Sequence, residues 1–168
     1  RLTRSGGSKS MGARMSGRCG GKKQKVRLAT GAGIPFNRGM NVFTYGSLMF
    51  DEVWRSVVGR TGPSVAGQLT GYEAWEIAGQ TFPGLAPAPG RQVNGRIWQC
   101  VTETELGKLD VFESGIYDRQ LLAVRAEDGK TLPSWTYIVR PDSRTLLLNE
   151  PWNREEFERL HLRDFLAT

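Results

Sequence analysis

Histidine occurs once in this chain of 168 residues, at His161, and cysteine twice, at Cys19 and Cys100. His161 falls in a predicted terminal helix and reads as a surface residue. That leaves no Ser-His nucleophile pair and no His-rich metal site. The two cysteines stand in neither a metal-ligand nor a redox spacing, and nothing asks for an oxidising compartment, so a cytoplasmic location is expected. Cys100, in an apparent strand, reads as a small buried hydrophobe. Long apolar runs are missing as well. No stretch approaches the roughly 18 to 20 consecutive apolar residues of a membrane helix, and no apolar region follows the basic start as in a secretory signal. No membrane partner is expected.

Acid is absent from residues 1–39, which hold ten of the 23 Lys and Arg residues. The remaining 13 basic residues face 17 acidic ones, so the net charge of +6 becomes −4 once the first 39 residues are set aside. The rest of the chain therefore has no electrostatic motive for nucleic-acid binding, which needs a basic face against phosphate. Residues 1–39 are rich in Gly, Ser, Lys and Arg and poor in large apolar groups. Such a segment cannot bury enough surface to offset its ordering entropy and is expected to be a disordered extension. The chain does not start with Met, and Met11, Met15 and Met40 are possible starts. A non-native extension or misplaced start, a targeting segment and a nucleic-acid tether are the readings open for it. The second part, residues 40–168, is expected to fold as one domain. Hydrophobic residues make up 39% of the chain and include five Trp and seven Phe, enough for one core.

From Met40 the pattern changes. Asn41 to Tyr45 is β-branched and aromatic and ends at Gly46, a strand running into a turn. Asp51 to Val58 places Val53, Trp54, Val57 and Val58 at helical spacing, closed by Gly59. Val65 to Ile77 predicts one or two strands around Gly71, Phe82 to Gly90 a proline-shaped loop, and Val93 to Ile97 an alternating strand. Thr102 and Glu105 form a capping box opening a helix with Leu106, Leu109 and Phe112 on one side and Gly115 as its stop. Leu121 to Ala126 and Ser134 to Val139 are strands joined through an Asp128-Gly129 turn. Asn153 to Glu156 offers a second capping box, for a terminal helix with Phe157, Leu160 and Phe165 apolar. This order defines an α+β domain around a curved or barrel-like sheet.

Two features could carry chemistry. The turn Tyr45-Gly46-Ser47-Leu48-Met49 exposes successive backbone N–H groups, a natural anion or oxyanion cradle. Glu113 falls in the last turn of the capped helix, where the negative end of the helix dipole and partial burial both raise a carboxyl pKa. A carboxylate titrating near neutrality is what a general base requires. Asp110, one turn earlier, is its rival, or ties down the helix or pairs with Arg119. Tyr117 packs beside Glu113 or donates to a substrate; Arg119 pairs with Asp110 or orients a carboxylate. Trp75, Trp98, Trp135 and Tyr137 fill the core or line a cavity wall, and Pro83 and Gly84 shape its rim.

The Tyr-Gly-Ser-Leu turn, the Phe-Pro-Gly-Leu-Ala-Pro stretch, the Val-x-Gly-x-Ile strand, and the Leu-Asp-x-Phe-Glu segment with its following Tyr-x-Arg occur in that order. The arrangement resembles the gamma-glutamylcyclotransferase-like family, more closely its branch of plant avirulence-induced-gene-like proteins and bacterial relatives, over roughly Asn41 to Phe165. The resemblance implies a small mixed β-barrel with flanking helices and one cavity. It also implies an acyltransferase- or lyase-type enzyme that needs no metal, cofactor or covalent intermediate. Such an enzyme releases 5-oxoproline from a small gamma-glutamyl substrate, with Glu113 as acid/base and Tyr45, Gly46, Ser47, Leu48, Met49 and Phe50 at the substrate; Tyr117 is a further substrate candidate. Two alternatives stand beside it: a non-catalytic small-molecule-binding module of the same fold, and a nucleic-acid-associated protein acting through residues 1–39.

Overall fold

The computed structural model describes residues 39–113 and 115–167. The expected extension therefore lies outside the described residues, save Gly39. The elements run β1 (Met40–Thr44), α1 (Asp51–Val58), β2 (Ser64–Ile77), β3 (Pro83–Val101), α2 (Glu103–Phe112), β4 (Tyr117–Ala126), β5 (Thr131–Val139), β6 (Leu147–Pro151), α3 (Arg154–Leu160) and α4 (Leu162–Leu166). The strand order β3-β1-β5-β4-β2 returns to β3 through the β2–β3 pairing, so five strands close into a barrel, and β6 adds to β2. β1 runs parallel to β5, with Val42 opposite Trp135, whereas the other pairings are antiparallel. The result is the small mixed barrel with flanking helices that the resemblance implies, and an α+β domain around a barrel-like sheet as the element order predicts.

Alternation along the strands divides the apolar residues into two cores. Phe43, Ile97, Val124 and Ile138 pack in one cluster, with Leu69, Leu85 and Val93. Their chain neighbours Val42, Trp98 and Tyr137 pack in the other, with residues of α1, α2 and α3. There Trp54 of α1 stacks on Trp98 at 4.3 Å between ring centroids, 9° from parallel. The helix ends follow the local signals. Thr102 and Glu105 make both bonds of a capping box, and Gly59 closes α1.

Several expectations need correction. Phe82 to Gly90 is not a loop: Pro83 opens β3 and pairs with Glu76, and the ladder continues to Pro87 opposite Tyr72. Pro83, Pro87 and Pro89 stand an even number of residues apart. The N–H groups they lack fall on one side of the strand, away from β2, where no bond to it is lost. Of the two readings open for the Gly71 region, the structure has the single strand, with a register shift between Thr70 and Tyr72. β4 begins at Tyr117, four residues before the apolar pattern does, because pairing with β5 runs from Val139 opposite Tyr117. The terminal helix is interrupted at His161, which caps both α3 and α4, and Asn153 makes only one half of the expected box, accepting from the Glu156 N–H. Cys100 is half-buried rather than buried, at the end of β3 with φ 59°. Among the described residues, no helix is long and apolar enough to cross a membrane.

Candidate active site

The end of β1, the β2–β3 turn, the end of α2 and the start of β4 meet around a cavity of about 480 Å³. After Thr44 the chain leaves β1 through Tyr45 and Gly46 into one 3-10 turn over Ser47–Met49, closed by the Met49 N–H to the Gly46 carbonyl at 2.9 Å. Gly46 is demanded by proximity: a Cβ there would lie 2.6 Å from Cγ and 2.8 Å from Cδ of Pro83. The turn thus rests on the ring of the residue that opens β3. Among the described residues, no bond occupies the N–H groups of Gly46, Ser47 and Leu48. All three residues line the cavity.

At the same cavity, Glu113 caps α2, its N–H bonded to the Leu109 carbonyl at 2.9 Å. Glu113 lines the same cavity and is its one ionisable carboxyl among the described lining residues. Burial pushes this carboxyl from an ordinary 4.5 up to about 8. Desolvation is the cause; the helix dipole invoked from sequence is not needed for it. Three phenols surround it. Burial, and then the charges of Tyr117 and Glu113, raise Tyr45; burial and Glu113 raise Tyr117; burial and the Asp110 carboxylate are the main causes raising Tyr137. Their hydroxyls are fixed. Tyr45 donates to the Tyr137 carbonyl at 2.7 Å, Tyr117 to the Pro83 carbonyl at 2.7 Å, and Tyr137 to the Asp110 carboxylate at 2.8 Å.

Asp110, the rival carboxylate, takes a structural place. It accepts from Tyr137 and, at 2.9 Å, from Arg119, and it does not line the cavity. Arg119 also lies over the Trp135 ring at 4.8 Å. The cavity therefore brings together Tyr45, Gly46, Ser47, Leu48, Glu113 and Tyr117. It does not include Met49 and Phe50. The 3-10 turn carries Met49 to a second, more open pocket, and the Phe50 ring packs 5.6 Å from that of Phe157 in the core. Pro83 lines the cavity, whereas Gly84 lies behind it against Leu147 and Val139. Trp75, Trp98 and Trp135 are absent from the lining; Tyr137 is present. Sequence reasoning missed the aromatic wall of Phe82, Phe112 and Phe165. These come from three separate elements, so no local spacing links them. Among the described residues, no three His, Cys, Asp or Glu side chains gather as a metal site.

A closed five-strand mixed barrel with this cavity is the gamma-glutamyl cyclotransferase-like fold. A solved gamma-glutamyl cyclotransferase shares it at a TM-score of 0.54 over 76% of this chain and 84% of that one, at 18% identity, a likeness of fold alone. Residues 42–154 match the family described as gamma-glutamyl cyclotransferase, AIG2-like, and the chain belongs to that family. The AIG2-like protein D of Arabidopsis thaliana is 33% identical over 129 residues, 75% of this chain and 84% of that protein. A solution structure of an Arabidopsis thaliana protein is similar at a TM-score of 0.58 and 31% identity, over 76% of this chain and 86% of that one.

Proposed function

We propose that this chain is a gamma-glutamylcyclotransferase that converts a small gamma-glutamyl compound into 5-oxoproline and a free amine. The observation that carries this reading is Glu113, a buried carboxyl titrating near 8 in a cavity also lined by Gly46, Ser47 and Leu48 with their unbonded N–H groups. The substrate's α-amine attacks its own γ-carbonyl carbon and closes a five-membered lactam. Nucleophile and electrophile are tethered, so the cavity's main task is to fold the substrate into an attacking geometry. Glu113 takes a proton from the α-ammonium and returns it to the leaving nitrogen as the C–N bond breaks; the attacking nitrogen then sheds its second proton by the same route, so the lactam N–H is neutral and the amine departs as an ammonium. The N–H groups of the turn hold the substrate carboxylate or the developing oxyanion. Each proton taken is given back, and the carboxyl ends as it began.

A base that titrates near 8 exchanges protons readily with an alkylammonium, whereas an ordinary carboxylate would be too weak to deprotonate one at neutral pH. Measuring 5-oxoproline release by the full chain from a panel of gamma-glutamyl amines, amino acids and peptides tests the reading. Glu113→Gln is expected to lower kcat/KM by about 10²- to 10⁴-fold with the fold retained. Equal turnover by the variant would remove Glu113 from this role. Ligand-dependent stabilisation of the wild type with no product across the panel would favour a binding module instead.

A further inference from the structure

Three rings meet the ring of Phe165. Its centroid lies 5.6 Å from that of Phe157 and 6.4 Å from those of Phe82 and Phe112, edge-on in each case. Phe157 of α3 is buried in the core. Phe82 sits on the β2–β3 turn, which the Trp152 indole holds by donating to the Thr81 carbonyl at 2.9 Å. Phe112 is the last residue of α2, 40% exposed, and Glu113 follows it. Phe165 thus joins two fixed points to the end of the helix that delivers Glu113. α4 itself has five residues, too few to stand as a helix alone. It breaks from α3 at His161, and among the described residues Arg163 and Asp164 make no ion pair or side-chain hydrogen bond. Leu162 and Phe165, both packed against the core, are what dock it.

Phe165 also lines the cavity, with Phe82, Phe112 and Glu113. The ionisable groups among the described lining residues are Glu113 and the phenols of Tyr45, Tyr117 and Tyr137. No cation or second carboxylate there sets how Glu113 titrates; exclusion of water does. Loss of the Phe165 ring would open the apolar wall and take away the contact that holds Phe112. Phe165 lies outside residues 42–154, the stretch matched to the family. Resting on the cyclotransferase reading for its effect on turnover, we infer that Phe165 is a positioning residue of the active site: from α4 it braces the end of α2 and keeps water from the Glu113 carboxyl.

Phe165→Ala and Phe165→Leu in the full chain test this. Water admitted by the alanine variant favours the charged form, so the Glu113 pKa falls toward its ordinary value. The acidic limb of kcat/KM for 5-oxoproline release is expected to move down by about one pH unit or more. Above about pH 9 the variant is expected to lose about tenfold or more in kcat/KM, because the end of α2 is misplaced. The loss narrows at lower pH, where the variant holds more of the ionised carboxylate. Phe165→Leu refills the wall and is expected to return the limb to near 8. A residue that only stabilised the fold would change the amount of active protein and leave the limb in place. Titration of the Glu113 carboxyl by carbon-13 NMR reads the same shift without turnover. A wild type that releases no 5-oxoproline therefore overturns the activity, and the NMR titration still decides whether Phe165 shields the carboxyl. An unmoved Glu113 titration in Phe165→Ala overturns the inference. Phe165→Val, a smaller loss of volume, takes its place if the alanine variant does not fold; failure of both to fold overturns the inference too, since Phe165 would then be a structural residue.

Discussion

Burial of Glu113 keeps a proton on its carboxyl, in the folded protein, well above the pH at which an unfolded chain would release it. Its pKa stands near 8 against an ordinary 4.5. Between those values the native state binds more protons than the unfolded state, so stability falls as pH rises through that window and levels off above about 8. At roughly 1.4 kcal/mol per unit of pKa, the penalty reaches a few kcal/mol at alkaline pH. Glu113→Gln keeps the shape and removes the titration. Urea unfolding at pH 5.5 and pH 8.5 is expected to show the wild type losing stability relative to the variant as pH rises. An unchanged difference between the two at both pH values would mean that the carboxyl is hydrated after all. The same carboxyl should give kcat/KM an acidic limb with an apparent pKa near 8, so the site is charged for catalysis where it costs stability most.

At the scale of elements, α2 delivers Glu113, and its two ends are held by different devices. At the N-terminus the Thr102 hydroxyl accepts from the Glu105 N–H at 3.3 Å, and the Glu105 carboxylate in turn accepts from the Thr102 N–H at 2.9 Å and pairs with Arg60. At the C-terminus Asp110 is held by Tyr137 and Arg119, the former on β5 and the latter on β4. Thr102→Ala is expected to cost about 1 kcal/mol in urea unfolding and to leave kcat/KM near the wild-type value. Asp110→Ala releases Tyr137 beside the cavity and is expected to lower kcat/KM by about tenfold or more, since small misplacements near a reacting bond are costly. Equal effects of the two substitutions on activity would show that the C-terminal anchor does not position Glu113. The N-terminal end was legible in the sequence, because a capping box is written in four adjacent residues; at the C-terminal end the helix stops at Phe112 with Glu113 as its cap, before the expected Gly115, and of its anchors only the pairing of Asp110 with Arg119 was among the readings open. β6 and the first residues of β4 were not legible. Asp118, Arg119 and Gln120 are polar, and what makes them a strand is the partner strand β5 rather than their own pattern.

At the scale of the whole molecule, the turn at Tyr45 and the carboxylate at Glu113 were legible as motifs, but the wall that they share with Phe82, Phe112 and Phe165 depends on closure of the barrel. Closure joins residues dozens of positions apart, and its constraints show only as two glycines. Gly67 on β2 and Gly95 on β3 face each other across the ladder. A Cβ on Gly67 would come within 2.7 Å of the Ile97 Cγ1 atom, 2.8 Å of its Cδ1 and 3.2 Å of the Val124 Cγ1 atom, all side-chain rather than backbone atoms. A Cβ on Gly95 would come within 2.2 Å of the Thr44 carbonyl oxygen and 2.6 Å of the Phe43 ring. Thr44 pairs with Arg96 on β3 at the last step before the Tyr45 turn, so its backbone cannot retreat without opening β1 from β3 beside the cavity. Gly67→Ala is therefore expected to cost roughly 1 to 3 kcal/mol, the usual range for overpacking. Gly95→Ala is expected to cost more than that, or to prevent folding, and any folded remnant should lose 5-oxoproline release beyond its loss of stability. Urea midpoints of the two variants, with activity measured on the folded fraction, decide the point. Equal destabilisation by both would mean that β1 can shift past β3, and that the Tyr45–Leu48 turn is not held in place by the closure of the barrel.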